Sequence, residues 1–117
     1  MNKQQIKIFI ALVVIAMNNK NGFTVNAATL QPVKSGYAVA VEGTQNSFGI
    51  KGLANVVKYV STHHNINAFG GWWNRENNRF YFDATIVVDD LDIAKDLGRY
   101  NNQIAIFDLA NLKEIML

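Results

Sequence analysis

The chain has no cysteine, so it has no disulfide framework, no thiolate nucleophile and no Cys-based zinc site. Its two histidines, His63 and His64, are adjacent in sequence, which is too few for a multi-histidine metal site. The single proline, Pro32, excludes Pro-rich linkers. Only 17% of the 117 residues are charged, while 50% are hydrophobic, which excludes intrinsic disorder. The longest apolar run, residues 8–17, has ten residues. A membrane-spanning helix needs about 20. No phosphate-binding glycine pattern is present. Gly70-Gly71 lacks the spacing of a P-loop or dinucleotide loop and falls inside a strand-like run. The sequence therefore implies no cofactor and no metal.

The charge that is present is unevenly placed. The formal net charge is +2. Residues 1–60 carry six lysines against one acid, Glu42, which gives +5. Residues 61–117 carry five basic residues against eight acids, which gives −3. The lysines stand singly and form no cluster that would track phosphates, so the sequence gives no strong nucleic-acid signal. Asparagine is abundant, with 15 copies, as an AT-rich coding sequence would produce.

The length suits one small domain, residues 1–117. Residues 1–19 read as an apolar helix ended by a left-handed cap at Asn21-Gly22. A helix apolar on every side is covered either by the rest of the fold or by a second copy of the chain. The alternative is a secretory signal. Lys3 and Lys7 would precede the apolar run, and Val25-Asn26-Ala27 would supply the cleavage site of an exported protein beginning near Ala28.

Residues 23–26 and 36–42 read as strands, the second with period-2 alternation. In residues 50–64, Leu53, Val56, Val57 and Val60 form one helical stripe. The clearest local feature is a hairpin. Phe69 to Trp73 and Arg79 to Val88 are aromatic and β-branched, and flank a polar, Asn-rich turn. A four-residue loop pairs Trp73 with Phe80 and Trp72 with Tyr81. Phe80, Phe82, Ala84, Ile86 and Val88 then share the core face with Trp73, while Trp72, Tyr81 and Asp83 share the other; a one-residue slip would exchange the two tryptophans. Asp89-Asp90 opens a third helix to about Tyr100. Residues 103–109 form a further strand, and residues 113–117 a short last one. The expected fold is α+β: an antiparallel sheet of four to five strands with about three helices packed mainly on one face.

Few groups suggest chemistry. His63 and His64 would need a partner carboxylate for acid–base work or a third ligand for a metal, and a helix terminus accounts for them without either. Asp83, Asp89, Asp90 and Asp92 could be read as a metal or carboxylate site, but Asp89, Asp90 and Asp92 do not match an EF-hand, and helix capping accounts for the group. Gly70-Gly71 makes room for a bulky neighbour such as Phe82. The aromatic cluster lacks the basic groove of a single-strand stacking platform. Two features remain. Trp72 and Tyr81 are residue types enriched at protein interfaces. The loop Thr44-Gln45-Asn46-Ser47 is dense in hydrogen-bonding groups and suits either capping of the next helix, by Asn46 or Ser47, or contact with a partner.

Several segments together suggest a family. Asn21-Gly22-Phe23-Thr24, Ser35 to Ala40, Thr44 to Phe48, Gly70-Gly71-Trp72 with Phe80 to Asp83, and Gln103 to Leu109 resemble small proteins encoded on bacterial phages, plasmids and integrated elements. The resemblance spans nearly the whole chain. It implies an ordinary first helix rather than a signal. It carries no activity, and its genomic setting implies conflict between element and host, such as inhibition of a restriction or CRISPR nuclease.

The expectation is a cytoplasmic, non-enzymatic protein-binding module. Its contact residues are Trp72, Tyr81, Thr44, Gln45 and Asn46, its partner is another protein, and a homodimer through the N-terminal helix is an added contact. The alternatives are an exported protein and a small enzyme using His63 or His64.

Overall fold

Two aromatic strands joined by a polar turn organise the chain. In the computed structural model, which describes residues 1–117, β3 (Ala68–Asn74) and β4 (Arg79–Val88) pair antiparallel. Trp73 faces Phe80 and Trp72 faces Tyr81, which is the expected register. Because side chains alternate along a strand, this register sorts β4 cleanly. Phe82 and Ala84 enter the core, while Tyr81 and Asp83 point to the opposite side.

Around the hairpin lie β1 (Gly22–Asn26), β2 (Tyr37–Ala40), β5 (Ala105–Asp108) and β6 (Lys113–Met116). The sheet order is β1-β3-β4-β2-β5-β6, and every pair is antiparallel. The sheet thus has six strands rather than the expected four to five. The short last strand read at residues 113–117 forms at Lys113–Met116, and with it all six strand-like segments join one sheet. It is closed onto β5 by Asp108, whose carboxylate accepts from the backbone N–H groups of Ala110 and Asn111 and from the Asn111 side chain. These bonds, with Asn111 first, hold the Asp108 pKa below its ordinary value.

Three helices cover one face: α1 (Lys3–Asn18), α2 (Gly49–Thr62) and α3 (Leu91–Tyr100). Leu12 of α1 and Leu53, Val56 and Val57 of α2 pack with Val25, Phe69, Phe82 and Ala84. Ala94 of α3 packs with Val39 and Ile106. Val39 pairs with Ile86, which joins the first cluster, so both clusters lie on the same side of the sheet. No helix covers the other side.

Helix ends follow local chemistry in two cases of three. Asn2 and Gln5 form a reciprocal capping box at 2.8 and 3.0 Å that starts α1. Asp90 accepts from the Ile93 N–H at 2.9 Å and caps α3, as expected. The expected left-handed cap at Asn21-Gly22 does not form. The helix closes at Asn19, and Gly22, at φ +133°, opens β1 instead. Nor do Asn46 or Ser47 cap α2, whose N-cap is Phe48 without a side-chain bond.

The first apolar run is a working part of this core. Leu12 is fully buried, with Ile8, Phe9 and Ile15 packed around it. No helix is long and apolar enough to cross a membrane. A chain beginning at Ala28 would lack α1 and β1 altogether. Leu12→Ala should cost about 2–5 kcal/mol through lost contacts and a cavity. Ile10→Ala, on the outer side of the same helix, should stay within about 0.5 kcal/mol. Urea denaturation of both variants checks this; equal midpoints would remove α1 from the core.

Candidate functional site

The open side of the sheet owes its chemistry to what the register leaves there. Trp72 and Tyr81 are directly opposed on β3 and β4. Their rings stack at 4.8 Å between centroids and 18° between planes. Phe48 extends the row, tilted against Tyr81 at 5.5 Å, and the Arg79 guanidinium lies 4.2 Å from the Phe48 centroid. The Tyr81 hydroxyl accepts from Asn77 Nδ2 at 2.7 Å, which fixes the phenol against the hairpin turn. Trp72 remains 45% exposed.

Trp73 departs from expectation in burial, though not in facing. It points to the helix side yet is 40% exposed. The physical reason is position. Its row lies next to the hairpin turn, and β1 ends its pairing one residue short, at Trp72.

Loop 44–47 acts as an irregular strand edge rather than a helix cap. After β2 the Val41 N–H donates to the Ala84 carbonyl at 3.0 Å. The Thr44 hydroxyl then accepts from the Ala84 N–H at 3.0 Å, and the Ser47 carbonyl accepts from the Phe82 N–H at 2.8 Å. The loop therefore satisfies the β4 backbone where β2 has ended. Thr44 is buried, and its side chain serves the fold, which removes it as a free contact. Gln45 and Asn46 stay exposed, with Asn46 at φ +64°.

These pieces meet in one concavity of about 280 Å³. Trp72, Tyr81, Thr44, Gln45 and Asn46, all five expected contact residues, line it. Asn74 and Gln103 add amides to the rim, and Asp83 lies within it.

Asp83 is the residue that sequence reasoning missed as part of this site. It sits across from Gly70 in register. A Cβ at Gly70 would fall 2.5 Å from Asp83 Oδ1 and 2.9 Å from Thr85 Oγ1, so the glycine makes room for the carboxylate. Gly71 makes the matching room on the helix side, for Phe23 and Phe80 rather than for Phe82. The Thr85 hydroxyl donates to Asp83 Oδ1. Burial raises the Asp83 pKa from 3.8 to about 6, against the smaller opposing effect of the Thr85 bond. The available signal was a lone acid in an apolar strand, facing a glycine.

Of the two histidines, His63 has a structural role, while His64 is exposed just beyond the end of α2. His63 is the C-cap of α2. Its ring stacks on Tyr59 at 3.6 Å and 5°, and its Nδ1 lies 2.7 Å from the Tyr59 carbonyl oxygen. A carbonyl only accepts, so Nδ1 carries the proton in that contact. No group of three or more His, Asp or Glu side chains is placed to hold a metal ion. No family model matches the chain, and no curated protein or solved structure matches it.

The raised pKa of Asp83 makes stability pH-dependent with a definite sign. The folded chain holds this proton more tightly than the unfolded one, so stability from this group falls as pH rises from about 4 to above 6. Asp83→Asn should therefore stabilise the chain at pH 8 by about 1–3 kcal/mol, and the gain should vanish near pH 4. Urea melts at the two pH values measure it. A gain that is the same at both would refute the shift.

Proposed function

We propose that this chain is a non-enzymatic protein-binding module of a mobile element, docking through the open sheet face around Trp72 and Tyr81. The observation that carries this is the stack of an exposed Trp72 on a half-buried Tyr81 beside a concavity, on the one sheet face without a helix. Large aromatics of this kind, rimmed by hydrogen-bonding groups, contribute most of the energy at protein interfaces. Gln45 and Asn46 supply that rim. The resemblance of the Asn21–Thr24, Gly70–Trp72 and Gln103–Leu109 segments to mobile-element proteins makes a host defence nuclease the first partner to test.

The wild-type chain should retain a host protein that rebinds in purified form, and Trp72→Ala and Tyr81→Ala should each weaken that binding at least tenfold, a loss of about 1.4 kcal/mol or more. Calorimetry with the purified partner reads the affinity, and circular dichroism confirms the fold of the variants. Undiminished binding by both variants would sink the site. If the partner is a nuclease, saturating wild-type chain should stop its cleavage.

A second contact is favoured by α1. Ile6, Ile10, Val14 and Met17 are 42–66% exposed and, spaced by four, four and three residues, fall on one outer stripe. A straight apolar stripe is self-complementary about a two-fold axis, and a second copy is its occupant. The patch offers roughly 400 Å² per copy, about half the area of a standard interface, so the pair is weak. Sedimentation should show dimer only at high concentration, and Ile10→Lys should abolish it. A strictly monomeric wild-type chain at millimolar concentration would end this reading.

A further inference from the structure

We infer that the concavity beside Trp72 and Tyr81 receives a basic side chain of the docked partner, a guanidinium or ammonium group, with Asp83 as its counter-ion. This rests on the docking reading and deepens it by naming the chemistry of the anchor.

The carboxylate is half used. One oxygen accepts from Thr85, while the other has no hydrogen-bond partner in the chain. Every side-chain nitrogen or oxygen sealed from solvent does have a partner. The second Asp83 oxygen is therefore reached by solvent, and Asp83 belongs to the concavity lining. No cation of the chain pairs with it. The one ion pair present joins Arg99 to Asp96 at 3.6 Å on α3. A desolvated carboxylate without a counter-ion gains most from a positive charge brought to it.

The walls agree with a cation. Gln45, Asn46, Asn74 and Gln103 line the concavity and are neutral, so no charge of the wall opposes a guanidinium or ammonium group. The aromatic row supplies the negative ring faces that attract such groups. Its far end already holds one, since Arg79 lies over Phe48. The end near Asp83 holds none. An anionic ligand would meet the carboxylate as a like charge. A neutral sugar would satisfy the amides but leave the charge uncompensated. The volume of about 280 Å³ accommodates one side chain and its waters.

The groups around Asp83 make the pH response readable. β4 itself carries Arg79 and Tyr81 beside Asp83, Glu42 follows β2, and the other titratable groups of the elements packed on β4 are Tyr37 of β2, Lys51, Lys58 and Tyr59 of α2, and Asp92, Lys95, Asp96, Arg99 and Tyr100 of α3. Tyr81 accepts from Asn77, Arg79 lies on Phe48, and Glu42 accepts from Asn102 Nδ2 at 2.8 Å. None of them hydrogen-bonds to Asp83. Protonation of Asp83, whose pKa is about 6, is thus the event that removes the counter-ion on acidification.

The test uses N-acetyl-arginine amide as probe against the isotope-labelled full chain, followed by nuclear magnetic resonance. The neutral isostere N-acetyl-citrulline amide and methyl glucoside serve as comparison ligands. The arginine probe should shift the Trp72 indole N–H and the Gln45 and Asn74 side-chain amides saturably at pH 7.5. Its affinity should fall roughly tenfold at pH 5, where about a tenth of Asp83 is ionised. Asp83→Asn should lose the response while the core methyl signals of Leu12 and Leu53 stay in place. Equal shifts from citrulline or the glucoside overturn the proposal, as does a response that ignores pH or no response at all. If Trp72→Ala weakens partner binding but the arginine probe gives no shift, docking stands and the cation anchor falls.

Discussion

The pairing of Trp72 with Tyr81 and Trp73 with Phe80 is the constraint on which the rest depends. Because strand side chains alternate, one register assigns every residue of β4 to a side. A slip by one residue would bring Asp83 and Tyr81 under α2 and turn Phe82 and Ala84 to solvent. Burying that carboxylate in an apolar core would cost several kcal/mol, while the core would lose two of its central members. The register is therefore enforced from both faces. The six-strand order then follows, with β1 and β2 laid on either flank of the hairpin.

The second consequence is a division of labour between the faces. All three helices gather where the apolar residues point, and the opposite face keeps a short row of aromatics, a recessed acid and amides. Gly70 and Gly71 mark this division within two residues. Gly71 lets Phe23 and Phe80 close over it on the helix side, and Gly70 lets Asp83 lie against β3 on the open side. The loop after β2 completes the edge of β4 by giving the Thr44 hydroxyl and the Ser47 carbonyl to its backbone N–H groups. That backbone repair is what carries Gln45 and Asn46 to the rim of the concavity. The loop is thus structural through Thr44 and Ser47, while its other two members are left free.

α1 illustrates how one composition serves two surfaces. Its inner stripe centres on the buried Leu12, and its outer stripe leaves Ile6, Ile10, Val14 and Met17 in water. Isolated exposed apolar residues are ordinary, but a continuous helical stripe is not. The same apolarity that resembles an export signal in one dimension resolves into a core contact and an exposed stripe in three.

Much of the fold was legible in the sequence because it is written in local periodicities. The alternation of residues 80–88 gave the hairpin and its two faces, while its register rested on a four-residue turn that the structure contains; the stripe Leu53-Val56-Val57 gave α2, and Asp90 gave the start of α3. Trp72 and Tyr81 were placed on the open face by the same alternation. What local pattern does not encode is which distant segments meet. The role of Thr44 depends on a strand forty residues away, the Ser47 carbonyl serves Phe82, and Gln103 reaches the concavity from the far end of the chain. Hydrogen bonds, desolvation and shared cavities arise between residues far apart in the chain. Only the tertiary structure could therefore gather Trp72, Tyr81, Thr44, Gln45, Asn46 and Asp83 into a single concavity.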